Sequence, residues 1–138
     1  MKPGDLSKVC CQRNVAAKRK QAAIKALLKV GADIQETDKN GVTPLHHAVR
    51  FRSPAAVETL LRFGANVNQI CKRSGSTPLH RAVTSTGAPS TSGKNDEARQ
   101  IIEILLRYGA DPAIRNKSGK TPADYARNIE IRRLLRGK

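Results

Sequence analysis

Two short motifs recur along the chain and constrain its fold more than any other feature. The tetrapeptide Thr-Pro-Leu-His occurs twice and a degraded copy, Thr-Pro-Ala-Asp, once, at residues 43–46, 77–80 and 121–124. A second motif, Leu-Leu-Lys/Arg-x-Gly-Ala, begins at Leu27, Leu60 and Leu105, and the first two copies are 33 residues apart. A repeat of this length is typical of a solenoid, in which one small unit is stacked on the next. A chain of 138 residues therefore predicts about four units.

Two insertions interrupt the period. One extra residue lies in the segment 68–76, and eleven lie in the Ser-, Thr- and Gly-rich segment 84–96. Small polar residues of this kind favour loops over helices. We therefore expect an inserted loop at 84–96 in the third unit. Its role stays open between a neutral insertion and a second contact site.

The residues of one unit predict two short helices and a turn. Thr43 is placed to cap a helix N-terminus, and Pro44 suits the first helical position because it lacks an N–H group. Gly64 is placed to end the second helix with a left-handed residue. The same structural roles are predicted for the equivalent residues Thr77, Pro78, Gly31 and Gly109.

The segments "DKNGVTPLHHAV" and "AAVETLLRFGANVN" resemble the ankyrin-repeat family nearly end to end. The resemblance covers about residues 20–138 and implies an all-α ankyrin-repeat solenoid with projecting finger turns. We predict one domain over 1–138, with about four repeats near 5–38, 39–72, 73–116 and 117–138. The first is expected to be a divergent cap, in which Cys10 to Arg13 stand where the tetrapeptide would be. The last is expected to be a C-terminal cap.

The neighbouring residues His46 and His47 raise the question of a metal site. Side chains one residue apart on a helix point about 100° apart, so this pair does not favour a shared metal. The ankyrin resemblance implies instead that His46 and His80 are structural residues that bond the backbone of a neighbouring finger. His47 is expected to lie partly exposed near the inner face.

No other pattern in the sequence favours catalysis. The cysteines Cys10, Cys11 and Cys71 lack the spacing of a zinc site, and no phosphate-binding glycine motif is present. We therefore expect no enzyme activity, no metal and no cofactor. An odd number of cysteines without regular spacing fits a reducing compartment, so an intracellular location is expected, with cytoplasm and nucleus unresolved. No signal peptide or membrane span is predicted.

Charge is the strongest compositional signal, since 26 Lys and Arg residues oppose 11 Asp and Glu residues. A net charge of +15 concerns partners and solubility rather than fold. In ankyrin-like stacks the partner surface comprises the finger tips and the inner face of each first helix. The resemblance maps these partner-binding residues onto Lys39, Asn40, His47, Arg50, Phe51, Lys72, Arg73, Arg81, Lys117 and Lys120. Val42 is mapped to the first finger as well.

The leading hypothesis is a monomeric, non-catalytic adaptor that binds an acidic protein through a basic concave face and finger edge. Phe51, between Arg50 and Arg52, is a candidate apolar anchor within that face. A nucleic-acid binder that uses the same surface is the rival, although only two Phe and two Tyr are available for base stacking. A repeat scaffold without a dedicated ligand is the third possibility.

Two terminal segments complete the predictions. In the first unit, Lys18, Lys20, Lys25 and Lys29 are expected on the surface of a helix whose apolar residues face inward. In the last unit, the residues expected to pack are Ile129, Ile131, Leu134 and Leu135, and those expected to face water are Arg132, Arg133 and Arg136.

Overall fold

The computed structural model describes residues 5–11, 16–84, 95–126 and 129–136. Within these ranges the regular elements are all α-helices, which we number in chain order. They are α1 (Asp5–Cys10), α2 (Ala17–Lys29), α3 (Pro44–Arg50), α4 (Pro54–Arg62), α5 (Pro78–Thr84), α6 (Asn95–Arg107), α7 (Pro122–Tyr125) and α8 (Ile129–Arg136).

The helices begin at capping residues. Thr43 precedes α3 in an extended conformation, and its side chain accepts a hydrogen bond from the backbone of His46. Pro44 occupies the first helical position, where no N–H partner is needed. Ser53 and Pro54 start α4 in the same way, since the Ser53 hydroxyl accepts from the backbone of Ala56. These local signals place the short helices of each unit at defined positions.

The second helix of each repeat ends at a left-handed glycine. Gly64 has a φ of 98°, and the following N–H of Ala65 reaches back to the carbonyl of Leu60 at 3.0 Å. This pattern of bonds closes the last helical turn and turns the chain towards the next finger. Gly31 and Gly109 follow α2 and α6 in the same conformation.

The helices form two layers. The first helices α1, α3, α5 and α7 pack in succession, and the second helices α2, α4 and α6 pack behind them. Aliphatic residues from both layers form one continuous core, in which Leu45, Leu60, Leu79 and Leu105 are fully buried. The small residues Ala48 and Ala82 are buried between neighbouring first helices, where they allow close approach. Among the described residues, no helix is long and apolar enough to cross a membrane.

The first repeat differs from its predicted register. The mapping of Cys10 onto the first residue of the tetrapeptide is wrong, because Cys10 is the last residue of α1 whereas Thr43 precedes α3. Leu6 and Cys10 are both buried and are four residues apart, as are Leu45 and Val49 in α3. Cys10 therefore takes the packing place of Val49. Arg13 lies outside the described residues.

Two surface predictions in the terminal repeats are also wrong. Lys20 is only 5% exposed, because it lies four residues before the buried Ile24 and shares its helix face against α1. Burial lowers the pKa of its ammonium group. Ile129 is 62% exposed, since it is two residues, or about 200° of helix rotation, from the buried Ile131. Lys18, Lys25 and Lys29 are exposed, as predicted.

The boundaries of the inserted loop also need correction. Thr84 is the last residue of α5, and Asn95 and Asp96 belong to α6. The remaining part of the predicted loop, residues 85–94, lies outside the described residues.

Candidate functional site

Three finger turns, at residues 38–42, 71–76 and 116–120, lead into α3, α5 and α7. In the first finger the Asp38 carboxylate accepts hydrogen bonds from the backbone of Asn40 at 2.8 Å and Val42 at 3.0 Å. The Asn116 side chain does the same in the third finger, at 3.0 and 3.1 Å. A short polar side chain at the base of each of these two fingers therefore fixes the turn.

Cys71 takes that place in the second finger, which carries one extra residue. Its N–H donates to the carbonyl of Ser76 at 3.1 Å, and its sulfur lies 2.9 Å from the hydroxyl of Ser74. Arg81 approaches the same sulfur at 3.9 Å. Burial raises the pKa of the Cys71 thiol, but hydrogen bonds from Ser74 and Arg81 outweigh burial and lower the pKa to about 7.

Backbone hydrogen bonds connect each finger to the next. The N–H of Arg73 donates to the carbonyl of Asn40 at 3.4 Å, and the N–H of Lys117 donates to the carbonyl of Ser74 at 3.0 Å. The fingers touch closely enough to require glycine at Gly41, where an added Cβ would lie 2.7 Å from the backbone nitrogen of Lys72. Main-chain contacts therefore set the spacing between fingers.

The histidines of the two tetrapeptides connect each first helix to the following finger. His46 Nδ1 lies 2.8 Å from the Thr43 hydroxyl, and its Nε2 lies 3.1 Å from the carbonyl of Ser76. His80 bridges Thr77 and the carbonyl of Lys120 at 2.9 and 2.8 Å. Burial lowers the pKa of His46 to about 4 and also lowers the pKa of His80. Both rings are therefore neutral at pH 7 and packed inside the stack.

A pocket of about 270 Å³ opens between the first and second fingers and the helices α3 and α5. The residues that line it are Asp38, Asn40, Val42, His47, Arg50, Cys71, Arg73, Ser74 and Arg81. Five of the predicted partner residues meet here, namely Asn40, His47, Arg50, Arg73 and Arg81. We call this site the palm pocket.

His47 contributes a partly covered imidazole to the palm pocket, with a side chain 17% exposed. Its Nε2 lies 3.6 Å from Asp38 Oδ2. Burial lowers the pKa of His47, the nearby Arg81 and Arg50 lower it further, and Asp38 opposes them. The ring is thus neutral at pH 7 and has both cationic groups and a carboxylate near it.

The other predicted partner residues lie outside the palm pocket. Lys39, Lys72, Lys117 and Lys120 are exposed on the three fingers. Phe51 follows α3 and is half-buried, with the Arg50 guanidinium carbon 6.0 Å from its ring centroid. The mapping of Val42 to a finger surface is wrong, because this residue is only 7% exposed. Its backbone N–H and carbonyl are bonded to Asp38 at the base of the finger.

Sequence reasoning missed Asp38 and Cys71 as parts of the palm pocket. The signal for both was present in the repeat register, since Asp38, Cys71 and Asn116 occupy the same place in successive units. In the part of the chain that the structure describes, no group of three or more His, Cys, Asp or Glu side chains could hold a metal ion.

Known proteins match this repeated architecture over most of the chain. The sequence profile described as ankyrin repeats (3 copies) matches residues 14–92, and that of a single ankyrin repeat matches residues 74–117. The ankyrin repeat protein FPV031 of fowlpox virus (strain NVSL) is 41% identical over 90% of this chain and 36% of its own length. The B-cell lymphoma 3 protein homolog of Mus musculus is 40% identical over 86% of this chain and 24% of its own length. The chain therefore spans only about a quarter to a third of these curated relatives.

The solved crystal structure of the ankyrin repeat domain of Bcl-3, a member of the IkappaB protein family, has the same fold. It superposes with a TM-score of 0.73 and 36% sequence identity, and the match covers 87% of this chain and 48% of that one. This chain belongs to the ankyrin-repeat family.

Proposed function

We propose that the chain is a non-catalytic adaptor module that binds an acidic protein partner through its concave face and finger edge. Ankyrin repeats in general mediate protein–protein interactions. The observation that carries the proposal is a row of exposed cations, the finger edge, made up of Lys39, Lys72, Arg73, Lys117 and Lys120. Two of these residues, Arg73 and Lys117, are held in register by their backbone bonds to the preceding finger.

Electrostatics gives the physical basis of this proposal. Like charges held side by side repel one another and create a field that extends from the fingers into solvent. At about 0.15 M salt that field decays over about 8 Å, so it acts on a partner that approaches the finger tips. Charge complementarity of this kind speeds association and selects partners more than it adds affinity. An acidic partner segment is the ligand that relieves the repulsion.

The test compares a finger-edge variant with a matched surface variant. Lys72→Glu/Lys117→Glu reverses two charges on the fingers, and Lys18→Glu/Lys25→Glu reverses two exposed charges on α2. Each protein is used to capture material from native lysate, with and without nuclease, and bound proteins are quantified by mass spectrometry. We expect proteins with acidic segments to survive nuclease, to be lost with the finger-edge variant and to be kept with the α2 variant.

Three other outcomes would replace the proposal. Loss of the captured proteins after nuclease treatment would show that the basic surface binds the phosphate backbone of nucleic acids. Binding of that kind also falls steeply with salt. Equal losses with the two variants would show that net charge, rather than the finger edge, controls association. Unchanged capture in both variants would favour a scaffold without a dedicated ligand on this surface.

The proposal includes three statements about the chain as a whole. The module is one domain with repeats near 5–38, 39–72, 73–116 and 117–138. It acts as a monomer. It works inside the cell, because its described cysteines Cys10, Cys11 and Cys71 are free thiols, as is usual in a reducing compartment.

A further inference from the structure

The cations of the palm pocket are all arginines, whereas those of the finger edge are lysines except for Arg73, which belongs to both sets. The pocket is lined by three arginines, Arg50, Arg73 and Arg81, and by no lysine. The finger edge consists mainly of lysines. A lysine ammonium is a mobile point charge, whereas the planar guanidinium group offers paired N–H donors that match the oxygens of a carboxylate or a phosphate. The pocket is therefore equipped for geometric recognition of an oxyanion.

Each arginine has one contact with a neighbour, through the backbone for Arg73 and through the side chain for Arg50 and Arg81. The backbone of Arg73 is fixed to Asn40, and the guanidinium of Arg50 lies against the ring of Phe51. Arg81 is partly buried, with its terminal nitrogen 3.9 Å from the sulfur of Cys71. Side chains that are already positioned lose less conformational entropy when a ligand binds.

The size and lining of the palm pocket limit what it can hold. Its volume of about 270 Å³ is below the range of about 300–1,000 Å³ that is usual for sites of whole small molecules. The lining is polar apart from Val42 and Cys71. A single polar head group, presented on a flexible stem, fits these limits better than an apolar side chain or a complete cofactor.

The charge of the lining favours a double negative charge. Three arginines and the carboxylate of Asp38 leave a formal charge of +2 when His47 is neutral, that is, 3 − 1. Asp38 stays ionised because its backbone hydrogen bonds and the nearby Arg81 outweigh the effect of burial and lower its pKa. A carboxylate would leave one positive charge uncompensated, whereas a phosphoryl group carries about −1.5 to −2 at pH 7.

We propose that the palm pocket binds the phosphorylated side chain of a protein partner. This inference rests on the proposed adaptor function and names one anchoring group for it. The phosphoryl oxygens accept hydrogen bonds from Arg50, Arg73 and Arg81. His47 takes up a proton when the anion binds, which raises the formal charge of the lining from +2 to +3 and further favours a doubly charged anion over a carboxylate. The protonated ring then forms an ion pair with the carboxylate of Asp38, 3.6 Å away.

The experiment uses two small probes that differ only in the acid group. They are N-acetyl-phosphoserine-N-methylamide and N-acetyl-glutamate-N-methylamide, each titrated into the full ¹⁵N-labelled chain at constant ionic strength. We expect the phosphoserine probe to bind about tenfold tighter than the glutamate probe, to shift the backbone amides of Asn40, Arg73 and Ser74, and to raise the pKa of the His47 imidazole. The groups that face this imidazole are Asp38, Arg50 and Arg81, so each is assigned in the same spectra.

Variants distinguish binding of the probe in the palm pocket from its attraction to general surface charge. Arg50→Gln and Arg81→Gln should each weaken the phosphoserine probe about tenfold, because each removes one charge-assisted pair. Arg133→Gln removes the same charge from the exposed face of α8 and should change nothing. Arg50→Lys keeps the charge but loses the paired N–H donors of the guanidinium group, so it should weaken binding as well. Arg50 is exposed, so its variants test the pocket even where Arg81→Gln disturbs folding.

Three results would overturn the inference. They are equal or tighter binding of the glutamate probe, equal weakening by Arg133→Gln, and amide shifts spread over the finger lysines instead of the pocket. None of these results would refute the adaptor function. That function is tested with the variant Lys72→Glu/Lys117→Glu, which changes no arginine of the palm pocket. Loss of capture after nuclease would in turn refute the adaptor function and leave the probe titration as a separate result.

Discussion

Replacement of Gly41 by alanine tests whether main-chain contact between fingers stabilises the stack. Gly41 has a φ of 76°, a conformation that costs an L-residue about 1–2 kcal/mol. The added Cβ would also lie 2.7 Å from the backbone nitrogen of Lys72, and 2.9 Å from its Cβ. That neighbour is backbone, so it cannot move aside by changing rotamer. Overpacking of this kind adds about 1–3 kcal/mol, and we expect Gly41→Ala to lower the free energy of unfolding by about 2–5 kcal/mol.

The repeats provide matched controls for this substitution. Gly75 has a φ of 71°, and its added Cβ would lie 3.0 Å from the backbone nitrogen of Lys117. Gly119 has a φ of 74° but no described atom within 4 Å of an added Cβ. The three glycines thus share the backbone strain and differ in the neighbour. We expect the loss of stability to rank Gly41→Ala above Gly75→Ala, and Gly75→Ala above Gly119→Ala, which should cost only the strain term.

Urea unfolding followed by far-UV circular dichroism measures all three variants against the unaltered chain. A change in midpoint without a change in slope reports stability directly. Equal losses in the three variants would refute the reasoning, since strain alone would then explain the result. A larger loss for Gly119→Ala than for Gly41→Ala would do the same.

Two further predictions concern the buried residues. His46 has a pKa of about 4 in the folded chain and about 6.5 in the unfolded chain. Between these two pH values the unfolded chain binds more protons than the folded chain. The contribution of about 3 kcal/mol that His46 makes to the free energy of unfolding above pH 6.5 should therefore be lost as the pH falls to 4. Urea unfolding at pH 7 and pH 4 should show this loss, and His46→Gln should reduce the difference in stability between the two pH values. An equal difference in the variant would contradict the assignment of the loss to His46. Leu60→Ala should lower the free energy of unfolding by about 2–5 kcal/mol because the side chain is fully buried. Phe63→Ala, at a residue 48% exposed, should cost about 0.5 kcal/mol or less in the same assay, and a similar cost for both would place Leu60 outside the core.

The fold was predictable wherever local signals and the repeat period agreed. Thr43, Pro44 and Gly64 act within a few residues of their own position, so their roles follow from the sequence of one unit. The period then places the same elements in the next unit, and stacking follows because a single helix pair cannot bury its own apolar face. The resemblance to ankyrin repeats supplied the finger turns and the inner and outer layers.

The first and last repeats of the chain were harder to predict than the central ones. Their sequences depart from the repeat, so register could not be carried over from the central units. Cys10 shows the effect, since the period placed it at the first residue of the tetrapeptide and the structure places it at a helix end. Lys20 shows a second source of error. It was predicted to lie on the surface because it is charged, but it shares a helix face with Ile24, and α1 covers that face.

The palm pocket was predictable only in part. The family mapping found the residues that project from the inner helices and finger tips, among them His47, Arg50 and Arg81. It gave no reason to include Asp38 or Cys71, which lie at the finger bases and face the pocket through the turn geometry. Which cations meet in one pocket and which stay on the rim depends on how neighbouring fingers are spaced, and that spacing involves atoms far apart in sequence.

The bonds from Arg73 to Asn40 and from Lys117 to Ser74 use only main-chain atoms. These two hydrogen bonds therefore do not depend on which side chains stand at the finger tips. Natural or laboratory substitution can change tip chemistry, from basic to acidic or from polar to aromatic, while the arrangement on which it is displayed stays the same. The chemistry of the finger tips can thus change independently of the positions of the fingers. New binding specificity can arise one residue at a time without loss of the stack.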